Sequence, residues 1–198
     1  MAAPLVTFLL LESGPTPRLI AFALFIAAAV SDLWDGHLAR TRDQVTSFGK
    51  IVDPLADKLL LVCTLIPLYV ITTRQGVAGA LPIFGAIPLW AVAILLGREL
   101  LITTLRFMAA GRGEVVTAQT IGKRKAVAQN IFVGAAILWV AFHSTGFGAP
   151  AGRAWQGFSA FHGWFTSGFL ILALILTVVS AAPYLGTFSR ILVGRPSP

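Results

Sequence analysis

Charge is scarce in this sequence. Asp, Glu, Lys and Arg make up 12% of its 198 residues, against about 25% in an ordinary soluble domain. With 57% hydrophobic residues, that is too little polar material to clothe a water-exposed surface. The bilayer is the expected solvent for much of the chain. Cysteine is nearly absent as well: Cys63 stands alone, which excludes an internal disulfide framework and a Cys-based metal cluster. Lying in an apolar run, it reads as a small buried hydrophobe. The N-terminus lacks the basic stretch of a signal peptide, so insertion would rely on transmembrane helices. Acidic residues number 8 against 15 Lys and Arg, a formal net charge of +7. No strip of alternating aromatic and basic residues accompanies that excess, so no nucleic-acid partner is expected, and anionic lipid and phosphorylated small molecules fit better.

What is abundant is the long apolar run. A helix needs about 20 mostly apolar residues to cross the hydrocarbon. Five stretches qualify: Arg18 to about Leu38, about Ser47 to Ile71, Leu81 to about Met108, Thr120 to His143, and Trp164 to about Phe188. A sixth, Pro4 to Leu11, is stopped by Glu12-Ser-Gly-Pro15 and is too short. The expectation is an all-α polytopic membrane bundle of six helices in one domain, 1–198, with the first helix short or truncated, truncation being expected ahead of a re-entrant or interfacial piece. The Gly- and Pro-rich stretch from Ser144 to Gly157 reads as an extramembrane loop. If the helices alternate sides, 12 basic residues fall on one face of the membrane and only Arg18, Arg74 and Arg153 on the other. The basic side is then cytoplasmic, giving a multi-pass protein of the cell (inner) membrane.

Five of the 8 acidic residues lie between Asp32 and Asp57. Asp32 and Asp35 are three apart, and Asp53 and Asp57 four apart, so each pair shares a helix face. A short turn between the pairs would set the two faces across one gap at the cytoplasmic mouth. Four carboxylates crowded near a membrane repel one another and resist ionisation. Divalent cations remove that difficulty, and an all-oxygen donor set selects Mg²⁺ or Mn²⁺ over Zn²⁺. Four carboxylates suffice for two ions, an arrangement that clamps a phosphate or pyrophosphate for in-line displacement. Simple pairing with Arg40, Arg42, Lys50 and Lys58 would suit one or two acids, not two same-face pairs. Gly36 and Gly49 beside them suggest close approach by a ligand or another backbone. Aspartates lining a cation channel or carrier would be spread through the membrane's depth; these cluster at one mouth.

Asp32-Leu-Trp-Asp35-Gly36-His-Leu-Ala39-Arg40, eight residues, then Gly49-Lys-Ile-Val-Asp53-Pro-Leu-Ala-Asp57 resembles the signature of the CDP-alcohol phosphotransferase family at all eight defining positions. The resemblance implies that family's six-helix fold, a homodimer, and a CDP-activated lipid such as CDP-diacylglycerol as donor. It implies Asp32, Asp35 and Asp53 as metal ligands, and Asp57 as both ligand and general base. Gly36, Ala39 and Gly49 would admit the cytidine and pyrophosphate, with Asp32 and Arg40 also at the CDP-lipid.

A second basic cluster bears on the acceptor. Arg98 and Arg106 are eight apart, two helical turns, and Lys123 and Lys125 open the next span. Arginine grips phosphate with paired hydrogen bonds and lysine adds a point charge, so Arg98, Arg106, Lys123 and Lys125 are candidates for binding an acceptor phosphate. Arg-Glu, an Arg seven residues on, then Gly-Lys-x-Lys is similar to the branch of the family that uses glycerol 3-phosphate. Other acceptors, inositol phosphate or phosphatidylglycerol, remain alternatives. Two features depart from that branch: its basic N-terminal segment is absent, and Ala126 stands where a Thr commonly follows the second lysine. His37, His143 and His162 carry little weight, and the five tryptophans read mainly as interface anchors.

Overall fold

The computed structural model describes residues 3–42, 49–74, 80–110, 120–144, 147 and 152–182; within its helices, the side chains of 32–42, 49–57, 74, 109, 110 and 120 lie outside the described residues. The described residues form six helices and no strand: α1 (Ala3–Leu11), α2 (Pro15–Arg42), α3 (Gly49–Arg74), α4 (Leu89–Ala110), α5 (Thr120–Phe142) and α6 (Arg153–Val179). The expected order and the short first helix are both present.

The starts of the fourth and sixth helices differ most from expectation. The fourth helix starts at Leu89 rather than Leu81, because 80–88 carries Pro82 and Pro88 and closes into a tight turn. There Leu81 and Gly85 exchange backbone hydrogen bonds of 2.8 Å, and both Ile83 and Gly85 take positive φ. A helix cannot run through that geometry. The sixth helix starts at Arg153, so part of the expected Ser144–Gly157 loop is helical. Gly152, at φ 137°, is its N-cap residue.

α5 is the central helix and packs against α2, α3 and α6. From Phe132 to Ile137 every residue is buried, as expected of a helix apolar all round. α1 packs on α2 and α3, and α4 on α3 and α6. The core gathers Leu10, Leu65, Leu68, Leu95, Phe132, Ile137 and Leu170. Outside it the surface remains apolar: Phe8, Leu100, Phe107, Phe161, Trp164 and Val178 are exposed. Ile121–Phe142 and Arg153–Val179 are long and apolar enough to cross a membrane, and Pro15–Ser31 and Lys58–Thr73 are shorter apolar stretches.

Polar side chains tie helices together at few points. Thr7 Oγ donates to the Cys63 carbonyl at 2.7 Å, joining α1 to α3. Arg18, 3% exposed, donates to the carbonyls of Leu10 (3.4 Å) and Val140 (3.1 Å), near the ends of α1 and α5. Terminal carbonyls lack intrahelical partners, and a cation there is favoured. Around that end, Trp139 is buried rather than interfacial. It stacks on His143 and faces His162, while Phe142 packs on Trp155 and Phe158 at the start of α6. α6 therefore runs back antiparallel to α5.

Candidate active site

α2 extends unbroken through Asp32 and Asp35, and α3 begins at Gly49, ahead of Asp53 and Asp57. A helical backbone places each pair one turn apart on one face. That fits a divalent-metal donor set: four carboxylates, all oxygen, on two helix segments. The side chains of Asp32, Asp35, Gly36, Ala39, Arg40, Gly49, Asp53 and Asp57 lie outside the described residues, as does the linking stretch 43–48. Among the described residues no three His, Cys, Asp or Glu side chains gather as a metal site.

The basic cluster is described in detail. Arg98 Nη1 donates to Glu99 Oε1 at 3.0 Å, and Lys125 Nζ bonds to that same oxygen. Arg98 Nη2 reaches across to α6, donating to the Ser180 carbonyl at 3.3 Å and to its Oγ at 3.0 Å. Ser180 Oγ in turn donates to the Thr177 carbonyl at 3.0 Å. One network thus joins α4, α5 and the end of α6. Lys125 is 4% exposed; a lysine so enclosed ordinarily needs a carboxylate, which Glu99 supplies. Lys58, the residue after Asp57, lies within electrostatic range of Lys125. Lys58 is thus close enough to act on the cationic network, and α3, which carries it, packs on α5.

Of the four residues expected to meet an acceptor phosphate, the fold gathers Arg98 and Lys125 on one carboxylate and leaves Arg106 and Lys123 exposed. Sequence reasoning used Glu99 only as part of the Arg-Glu dipeptide and missed it as the hub. It missed Ser180 and Thr177 altogether, and Gln129, buried one turn beyond Lys125. The four-residue spacing of Lys125 and Gln129 was the available signal.

A family model described as CDP-alcohol phosphatidyltransferase matches residues 1–179. The chain is 42% identical over 127 residues to a CDP-diacylglycerol–glycerol-3-phosphate 3-phosphatidyltransferase of Bacillus subtilis (strain 168), covering 64% of this chain and 59% of that protein. It is 31% identical over 158 residues to the protein of that name from Rickettsia bellii, covering 71% and 80% respectively. It is also 34% identical over 137 residues to a cardiolipin synthase (CMP-forming) of Oryza sativa, covering 65% of this chain but 39% of the rice protein. The chain thus spans well under two thirds of the Bacillus and rice relatives. With its family model covering nearly all the described helices, the chain belongs to the CDP-alcohol phosphatidyltransferase family.

Proposed function

We propose that this protein is a multi-pass membrane enzyme that transfers a phosphatidyl group from CDP-diacylglycerol to sn-glycerol 3-phosphate, yielding phosphatidylglycerophosphate and CMP. The observation that carries the choice of acceptor is the part-buried Arg98–Glu99–Lys125 network, with its lysine enclosed and Lys58 acting on it electrostatically. Two cations on one carboxylate leave a net positive charge in a low-dielectric site, suited to a phosphate monoester that arrives with two negative charges. The names of the Bacillus and Rickettsia relatives support the same reading.

In this reading Asp32, Asp35, Asp53 and Asp57 hold two Mg²⁺ or Mn²⁺ ions, which when bound neutralise the pyrophosphate of the donor. Gly36, Ala39 and Gly49 carry side chains small enough for the cytidine diphosphate to approach the helices, and Arg40 pairs with its phosphates. Arg98 and Lys125 hold the acceptor phosphate, with Arg106 and Lys123 at its approach. Asp57 takes the proton from the acceptor's terminal hydroxyl. The oxygen forms a bond to the phosphorus bearing diacylglycerol, the bond from that phosphorus to the CMP oxygen breaks, and CMP departs with the electron pair.

The basic loops favour a cytoplasmic active site in the cell (inner) membrane. The exposed apolar faces suit membrane lipid, and family membership supports a homodimer. The test is CMP release by purified protein given CDP-diacylglycerol, Mg²⁺ and one acceptor at a time: glycerol 3-phosphate, inositol phosphate or phosphatidylglycerol. Turnover with glycerol 3-phosphate, abolished by a chelator, is the expected result. Turnover with only another acceptor refutes the assignment.

A further inference from the structure

One helical turn inward from the charged network, α5 and α6 each carry a buried neutral polar side chain. Gln129 follows Lys125 by four residues on α5, so the two share a face about 6 Å apart along the axis. Thr177 precedes Ser180 by three residues on α6, which runs antiparallel, so it stands one turn inward on its own helix. Gln129 is 3% exposed and Thr177 is fully buried. Neither Gln129 Oε1 nor Thr177 Oγ1 has a hydrogen-bond partner among the described residues. Native interiors rarely leave such atoms unsatisfied. Thr177 also departs from its own kind: Thr64, Thr72, Thr103 and Thr166 each donate to the carbonyl four residues back. Its hydroxyl is not spent that way.

The chemistry of the unpaired atoms narrows what would satisfy them. An amide oxygen only accepts, so its partner must bring a donor. A phosphate dianion or a lipid ester carbonyl brings none. A hydroxyl does, and a hydroxyl can at once accept from Thr177. The step from Lys125 to Gln129 is comparable with the span of a three-carbon phosphate ester whose phosphate sits at the cations.

We infer that Gln129, together with Thr177, is the subsite for the acceptor's middle hydroxyl, so that the acceptor is recognised as a phosphorylated polyol and not merely as a phosphorylated alcohol. This rests on the acceptor site proposed above and adds a specificity residue to it. A site built around a hydrogen bond rejects the analogue that lacks the hydroxyl, because its own polar atoms are left unpaired.

The experiment compares sn-glycerol 3-phosphate with 3-hydroxypropyl phosphate, which lacks the middle hydroxyl, using full-length protein in mixed micelles with CDP-diacylglycerol and Mg²⁺. Wild type should favour glycerol 3-phosphate in kcat/KM by at least about tenfold. Gln129→Leu should bring that ratio to within about twofold, the fall being borne by glycerol 3-phosphate, and Thr177→Val should lower it part of the way. A wild-type ratio near one overturns the inference without any variant, and so does an unchanged ratio in a folded Gln129→Leu. If Gln129→Leu does not fold, the wild-type ratio and Thr177→Val decide. Wild type that uses neither compound but accepts another alcohol rejects the acceptor assignment itself, a result distinct from loss of discrimination alone.

Discussion

Lys125 on α5 and Glu99 on α4 form an enclosed ion pair, and the carboxylate oxygen that receives Lys125 also receives Arg98. The pair is asymmetric. Remove Lys125 and Glu99 still has a cation; remove the charge of Glu99 and Lys125 loses its carboxylate. Glu99→Gln should therefore cost about 3 kcal/mol of stability, while Lys125→Met should cost less, since an apolar side chain there leaves no orphan charge. Thermal unfolding in detergent gives the order, and Lys125→Met as the less stable variant would contradict it.

Arg106 lies on α4 two turns beyond Arg98 and is exposed. Its proposed partner is a phosphate remote from the reacting hydroxyl, so Arg106→Ala should raise the acceptor KM about tenfold with little change in kcat. A change confined to the KM for CDP-diacylglycerol would move Arg106 to the donor side of the site.

Asp57→Asn should cut turnover by a factor of about 10²–10⁴, the usual worth of a positioned base. The fold and much of the nucleotide affinity should survive. Near-normal turnover would remove Asp57 from that role, and calorimetry with CDP would show whether binding persists.

A β-carbon added at Gly163 would lie 2.9 Å from Pro82 Cδ and 3.0 Å from the Trp139 ring, with Ser167 Oγ holding the Pro82 carbonyl at 2.7 Å nearby. Gly163→Ala should destabilise by about 1–3 kcal/mol through overpacking. At Gly168 the same atom meets nothing within 4 Å, so Gly168→Ala should be neutral or gain up to about 1 kcal/mol from helix propensity. Equal melting temperatures for the two variants would argue against the tight contact.

His143 lies just beyond α5, with Nδ1 2.9 Å from the Trp139 carbonyl and Nε2 2.9 Å from Ser159 Oγ. Burial lowers its pKa below the usual histidine value, despite the opposing pull of the Trp139 carbonyl. The unfolded chain therefore takes up a proton more readily than the folded one. The contribution of His143 is complete above about pH 6.5 and is lost as the pH falls below it, towards the folded-state value. Melting curves from pH 8 to 5 should show the loss, and His143→Gln should flatten the dependence.

The number and order of the helices were legible because long apolar runs separated by Gly, Pro and charge leave little choice. Leu81–Pro88 was misread as helix because its apolar residues hide a turn, whose Ile83 at φ 72° no periodicity reveals. The start of α6 was misread in the opposite direction: the glycines and Pro150 between Ser144 and Gly157 resembled a loop through to Gly157, yet aromatic packing of Trp155 and Phe158 on Phe142 favours the helix from Arg153. At the site, spacing could pair residues within one helix, such as Asp53 with Asp57. It could not show that Glu99 joins two helices or that Arg98 reaches Ser180, 82 residues away.

Lys125, Gln129 and the fully enclosed segment from Phe132 to Ile137 all belong to α5. Rotating or sliding that rod to suit a differently shaped alcohol would drag the bundle's interior along with it. New acceptor preferences in descendants of this chain should therefore arise by exchange of single side chains such as Gln129 or those facing it from α4 and α6, with the axis of α5 held in place.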